Sequence, residues 1–227
     1  MAKTHTVVQG EFLSQIAHIY GFADSKTIWD APENKDLKEK RKNPNILLPG
    51  DKLTIPDKET KEESRSTEAK HTFQIEREVL KLRIVLTGLK NKPLEGHECV
   101  LLVEGDPLAV TTKSDGKLER EISEKATEGK VLDKGKPGSQ FRTQREIPLK
   151  IGHLDPVDTV SGQKARLNNL GYLAGDPSAP PGTKEEEDQR SRQLKSAIEE
   201  FQCDFDLKVD GICGKQTQTK LEETHGC

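Results

Sequence analysis

The sequence predicts a multidomain α+β chain made of a βααβ unit, a small antiparallel β-sandwich and a three-helix unit, in that order. Three observations carry this expectation. An apolar fraction of 31% beside 33% charged residues over 227 positions favours several small cores over one large one. The apolar period changes along the chain, from a strand feeding helices, to period two from about residue 72, to helical spacing from about residue 158. Between the first two regimes, residues 57–71 lack any apolar periodicity and read as a solvated linker, because they cannot bury enough surface to offset their ordering entropy. The expected boundaries are therefore 1–56, 57–71, 72–152 and 158–227.

In the first unit, Thr6-Val7-Val8 reads as a short strand that Gly10 breaks. Leu13, Ile16, Ala17 and Tyr20 then recur at helical spacing, and Gly21 stands where a helix C-terminal cap belongs. A second short helix is expected around Lys26 to Asp30, with Ile28 and Trp29 facing inward, before Pro32 and a charged stretch to Lys42 interrupt it. Asn43-Pro44-Asn45 and Pro49-Gly50-Asp51 are turn signals, and Lys52-Leu53-Thr54-Ile55 alternates as a closing strand.

The segments His5–Gly10, Leu13–Ala17 and Leu48–Pro56 together resemble the LysM domain. That resemblance implies a groove for N-acetylglucosamine-containing glycans between the loop after the first strand and the loop before the last. Carried over residue by residue, the groove would use Gly10, Glu11, Phe12 and Leu13 on one side and Asn45, Ile46 and Leu47 on the other. Two features depart from the family pattern. Glu11-Phe12 replaces its usual Asp-Thr, and the stretch from Asp30 to Asn43 is longer and more charged.

In the second unit, Leu80, Leu82, Ile84 and Leu86 alternate with polar partners, and Cys99 to Val103 forms a short apolar run. Lys117 to Ile122 follows the Ser114-Asp115-Gly116 turn, and Ile147 to Ile151 alternates again. Short strands separated by turn signals predict the sandwich. The stretches Pro93–Gly96, Val103–Gly105 and Thr112–Lys117 resemble transthyretin-like or carboxypeptidase-regulatory modules, which implies a spacer or docking role.

In the third unit, Ser161 is placed to cap a helix carrying Ala165, Leu167 and Leu170, which Gly171 stops. Thr183 with Glu186 makes a capping box for a second helix whose Leu194, Ala197, Ile198, Phe201 and Phe205 mark one apolar face. A last helix follows Gly214, with Thr217 and Leu221 toward its inner side. Phe201-Gln202, Val209-Asp210-Gly211, Gly214 and Thr217, preceded by Arg166–Tyr172, resemble the three-helix peptidoglycan-binding domain. The resemblance implies non-catalytic wall recognition. Turn geometry and core packing account for Asp210-Gly211, Gly214, Phe201 and Phe205, so an outward polar groove is assigned to Gln202, Asp210 and Gln216.

Chemistry beyond binding is not expected. His5, His18, His71, His97, His153 and His225 are scattered singly rather than at metal-ligand spacing, and no metal or cofactor is predicted. His225 and Cys227 lie close, but on a terminus that cannot hold catalytic geometry. No Glu stands in an apolar context that would raise its pKa for acid catalysis, and Glu185 to Asp188 read as a first helical turn favoured by the helix dipole. Cys99, Cys203, Cys213 and Cys227 are too dispersed for a disulfide scaffold; they are expected reduced, with Cys203 to Cys213 or Cys213 to Cys227 as the alternatives in an oxidising space.

A formal net charge of -3 without a basic block gives no argument for nucleic acid or an anionic membrane as partner. The polar start Met1–Thr6 lacks an apolar leader core, which predicts a protein that is cytoplasmic as synthesised. Two functional readings follow. Both ends could bind peptidoglycan and combine modest affinities through effective concentration. Alternatively, Trp29–Asn34, Asn43–Asp51 and Ile151–Pro156 resemble accessory proteins of type VI-like contractile secretion systems. That favoured reading implies an adaptor for spike or effector cargo, with delivery to the periplasm by the machine. A hydrolytic effector would need a catalytic constellation that the sequence does not present.

Overall fold

Lys3–Thr6 (β1) pairs antiparallel with Lys52–Ile55 (β2), Lys3 facing Ile55 and Thr6 facing Lys52. The computed structural model describes residues 2–58, 62, 64–72, 79–88, 92–138 and 144–226. They form an α+β architecture in two compact units, Met1–Gly88 with Lys92–His153, and Leu154–Cys227.

Between β1 and β2 run Leu13–Ile19 (α1), Lys26–Trp29 (α2), a 3-10 turn at Pro32–Asn34, and Lys35–Arg41 (α3). Leu13, Ile16, Ala17, Ile28, Trp29, Leu53 and Ile55 close one apolar cluster, with Leu37 packed on its side. Two expectations are corrected here. The first strand lies earlier than Thr6–Val8, because Val7 turns onto the 49–51 bend: its N–H donates to Asp51 O at 2.9 Å and its carbonyl accepts from Gly50 at 2.8 Å. Val8 is exposed.

The charged stretch after Pro32, expected as an interruption, is instead the third helix, and polar side chains fix its ends. Buried Asn34 donates to the carbonyls of Ile28 and Thr54 and accepts from Thr54 N–H, each at 2.8 Å. At the other end Arg41 makes a two-pronged ion pair with Asp51, at 2.7 and 2.8 Å, and Asp51 also accepts from Leu48 N–H at 2.9 Å. Apolar periodicity carries no trace of either anchor.

Residues 57, 58, 62 and 64–72 lie exposed in no helix or strand. Beyond them, Leu80–Val85 (β3) pairs with Lys117–Ile122 (β6), while Glu98–Val103 (β4), Asp106–Thr111 (β5), Glu128–Asp133 (β7) and Arg145–Lys150 (β8) form an antiparallel sheet in the order β5-β4-β7-β8. Leu82, Ile84, Leu86 and Leu118 from the β3–β6 side meet Cys99, Leu101, Val103 and Val131 from the larger sheet in one core. β5 and β7 escape the period-two pattern for different reasons. β5 is an edge strand that tolerates Pro107 and is mostly exposed. β7 buries Asp133 as well as Val131, so its inward face is not purely apolar.

The second unit contains Val160–Asn169 (α4), Lys184–Asp204 (α5) and Lys215–His225 (α6). Thr159, not Ser161, caps α4, accepting from Gly162 N–H at 3.0 Å; Ser161 donates instead to Asp155 Oδ2 at 2.5 Å. The capping box on α5 is present, with Thr183 N–H donating to Glu186 Oε2 at 2.8 Å. Leu167, Tyr172, Ala197, Ile198, Phe201 and Leu221 form the core, and the rings of Tyr172 and Phe201 meet nearly perpendicular, 5.6 Å between centroids. Among the described residues no helix is long and apolar enough to cross a membrane.

Candidate functional site

The loop joining α5 to α6 is organised by one side chain. Phe201 and Gln202 are adjacent on α5, both turned inward, with Phe201 in the core and Gln202 only 1% exposed. The Gln202 amide nitrogen donates to Asp210 Oδ1 and Ile212 O at 3.0 Å and to Thr217 Oγ1 at 3.1 Å. Its oxygen accepts from the N–H groups of Asp210 and Gly211, both at 3.0 Å. A buried amide is costly unless its donors and acceptors are matched, and here the loop and Thr217 of α6 supply the matches.

Asp210 completes the bend by accepting from Ile212 N–H at 3.0 Å; that bond first, then the one from Gln202, holds its carboxyl below the usual carboxylate range. Gly211 has φ +68°, a left-handed conformation that costs a residue with a Cβ more than glycine. The expectation that Gln202 faces outward is therefore corrected: it is an internal clamp, and Asp210 is tied to it. Gln216, on the first turn of α6, is exposed and borders a shallow depression of about 530 Å³ with Leu207, Lys215, Thr219 and Lys220. The signature reading passed over Val209 and Ile212, which flank the locked bend and are 54% and 65% exposed. Apolar residues inside a turn-rich segment were the available signal.

The other candidate set lies on the loops around α1 and before β2. Leu13 N–H donates to Pro44 O at 3.3 Å and Ser14 Oγ to Asn45 Oδ1 at 3.5 Å, so the two loops are brought together. Glu11 turns back on its own loop, accepting from Val8 N–H at 2.9 Å and pairing with His5 Nε2 at 2.8 Å. Phe12, Leu13, Ile46 and Leu47 are all buried. Leu13 and Leu47 belong to the core cluster of their own subdomain, whereas Phe12 and Ile46 do not.

What lies on this face is the segment after β8. A Cβ placed on Gly10 would stand 3.1 Å from His153 Nε2, and one placed on Gly152 would stand 2.4 Å from Gly10 O and 2.9 Å from Phe12 Cδ1. The expected groove residues are thus assembled, but the chain's own residues 152–153 rest against Gly10 and Phe12, while Asn45 stays exposed.

Among the remaining polar groups, Asp133 is buried and accepts from Gly135 N–H at 2.8 Å, bonds His97 Nδ1 at 2.9 Å and pairs with Arg145 at 3.2 Å. Burial pushes its carboxyl up, but these three partners outweigh that and hold it low. Cys99 lies beside this cluster with its thiol on the His97 carbonyl at 3.8 Å rather than on the ring. Burial, then the Asp133 charge, pushes that thiol up to about 11, so it stays protonated at neutral pH. Cys99, Cys203 and Cys213 are free thiols, and the alternatives involving Cys227 lie outside the described residues. His225 ends α6 and bonds the Asn169 side chain at 2.9 Å. Among the described residues no group of three His, Cys, Asp or Glu side chains is placed to hold a metal ion.

Residues 158–221 match the family described as "Putative peptidoglycan binding domain". The match begins just before α4 and ends within α6, so it takes in α4, α5, the Gln202-locked loop and the larger part of α6. No curated protein and no solved structure matches the chain.

Proposed function

We propose that the protein is a non-catalytic peptidoglycan-recognition protein whose helical unit presents the bend at Val209–Ile212 and the first turn of α6 to the wall. The match of residues 158–221 to a peptidoglycan-binding family carries this reading. The geometry supports it. Gln202 rigidifies the bend, so Val209, Ile212 and Gln216 are displayed with little ordering entropy left to lose on binding. The mixture of apolar tips and a side-chain amide suits a glycopeptide, which offers both C–H faces and amide groups. Co-sedimentation of the full chain with purified sacculi tests this; recovery in the supernatant at low salt sinks it.

A second reading, an adaptor that docks spike or effector cargo for a type VI-like contractile secretion machine, is favoured by the covered loop face of the first unit. A module whose expected glycan groove lies under its own chain is suited to a scaffold role. On that reading the protein is made in the cytoplasm and meets the wall when the machine delivers it. Affinity capture from cytosol with a spike or toxin protein as the main prey distinguishes this reading from simple wall anchoring.

A further inference from the structure

Phe12 and Ile46 pose a question of packing. Both are buried, at 2% and 8% exposure, yet neither joins the apolar cluster of the β1–β2 subdomain to which they belong by sequence. The segment after β8 covers Phe12 from outside that cluster. Ile151 N–H donates to Thr127 O at 2.8 Å, which ties the segment to the turn between β6 and β7. Gly152 then passes so close to Gly10 O and Phe12 that a single added carbon would collide with both, and the His153 ring lies across Gly10. The same β6–β7 turn makes a second attachment, because Glu124 pairs with His18 in the last turn of α1 at 2.9 Å.

Two glycines make this approach possible. Gly10 has φ +92° and Gly152 φ +79°, both in the left-handed region; Gly152 has no room for a Cβ against the Gly10 carbonyl, and at Gly10 a Cβ would press on the His153 ring. The requirement is reciprocal: Gly10 is open to His153, and Gly152 is open to Gly10. Close backbone-to-backbone contact of this kind, with an aromatic ring beneath it, excludes water and leaves no volume for a sugar ring.

We propose that Gly152 and His153 form an intramolecular cover that closes the Gly10–Phe12 side of the loop face to ligands. The cover makes that side of the loop an internal interface between the β1–β2 subdomain and the sheets, rather than the wall of an open groove.

Amide hydrogen exchange and NMR titration on the full chain test this. The amides of Glu11 and Leu13, bonded to Val8 O and Pro44 O, report the loop, and that of Gly211, bonded to Gln202, serves as a reference in the other unit. Gly152→Val forces the segment off by collision, while His153→Ala removes the ring without straining the backbone. Protection of Glu11 and Leu13 is expected to fall about tenfold in both variants, with Gly211 unchanged. An N-acetylglucosamine tetramer is expected to leave the signals of Gly10–Phe12 in the unaltered chain where they are. Unchanged loop protection in both variants, or saturable shifts of those signals in the unaltered chain, would overturn the proposal.

Discussion

Gln202 holds Asp210 from both ends: its amide nitrogen donates to the Asp210 carboxylate and its amide oxygen accepts from the Asp210 backbone N–H, each at 3.0 Å. The pair converts a glycine-containing bend into a fixed part of the helical unit. Replacing Gln202 by Leu keeps the approximate volume but strands the N–H groups of Asp210 and Gly211 beside an apolar side chain. The expected loss is about 3 kcal/mol of unfolding free energy, read from urea melts. Gln202→Glu keeps the acceptor for both N–H groups, but it replaces the donor to Asp210 with a second carboxylate, so it is expected to be destabilising as well. A Gln202→Leu chain with unaltered stability would show that the bend is held by something else.

Arg41 and Asp51 join the end of α3 to the turn before β2, with their side chains 2% and 8% exposed. Removing one charge leaves the other buried, and Asp51→Asn is expected to cost about 3–5 kcal/mol. The pH dependence has a definite sign. Burial raises the Asp51 carboxyl, but the Arg41 hydrogen bond, the Leu48 N–H and the charges of Arg41 and Lys40 outweigh it, so the native pKa lies below the ordinary 3.8. Its contribution is therefore fully present above 3.8 and lost as pH falls through the lowered native value. Asp133, also held low, acts in the same direction. Urea midpoints followed from neutral pH to about pH 2 should fall less steeply in Asp51→Asn than in the unaltered chain, with Asp133 and the other carboxylates held low, Asp210 among them, supplying the remaining slope.

These two clamps also mark where the sequence was legible and where it was not. The Thr183–Glu186 capping box, the Gly214 entry to α6 and the alternation along β3 were readable because each depends on neighbours within a few positions. Asn34 and Arg41 were not, since their partners Thr54 and Asp51 lie across the subdomain and their polar character argued for a solvated stretch. The same cause misplaced Gln202. A glutamine beside a core phenylalanine looks outward by composition, and only its five bonds to the bend and Thr217 show that it belongs inside. Residues 152–153 gave no signal of their contact with the Gly10 loop, because a glycine that must approach another backbone is indistinguishable from a turn glycine until the two are brought together.

The thiols should separate by burial. Cys203 is exposed, whereas burial raises the Cys213 thiol to about 11 despite the opposing Arg166 charge, and Cys99 reaches about the same value. Maleimide labelling near neutral pH, followed by peptide mapping, is expected to modify Cys203 well before Cys213 or Cys99; the latter two should react at comparable rates only after denaturant is added. Labelling of Cys99 in the folded protein as fast as Cys203 would contradict the position of its side chain in the sheet core.

Wall retention, if it uses the displayed bend, should depend on side chains that contribute little to stability. Ile212 is 65% exposed and Gln216 lies on the first turn of α6, so neither substitution opens a cavity. Ile212→Asp places a charge where an apolar tip would meet the sugar face, and retention by sacculi is expected to fall about tenfold; Gln216→Ala removes one amide and should cost about threefold. Both variants should keep the unfolding midpoint of the unaltered chain, which separates them from Gln202→Leu, whose retention loss would follow from a disordered bend. If Ile212→Asp and Gln216→Ala are retained as well as the unaltered chain, the recognition surface lies elsewhere on the helical unit. The outward residues of α5 would then be next to test, since Lys184 to Gln193 contribute no apolar side chain to the core.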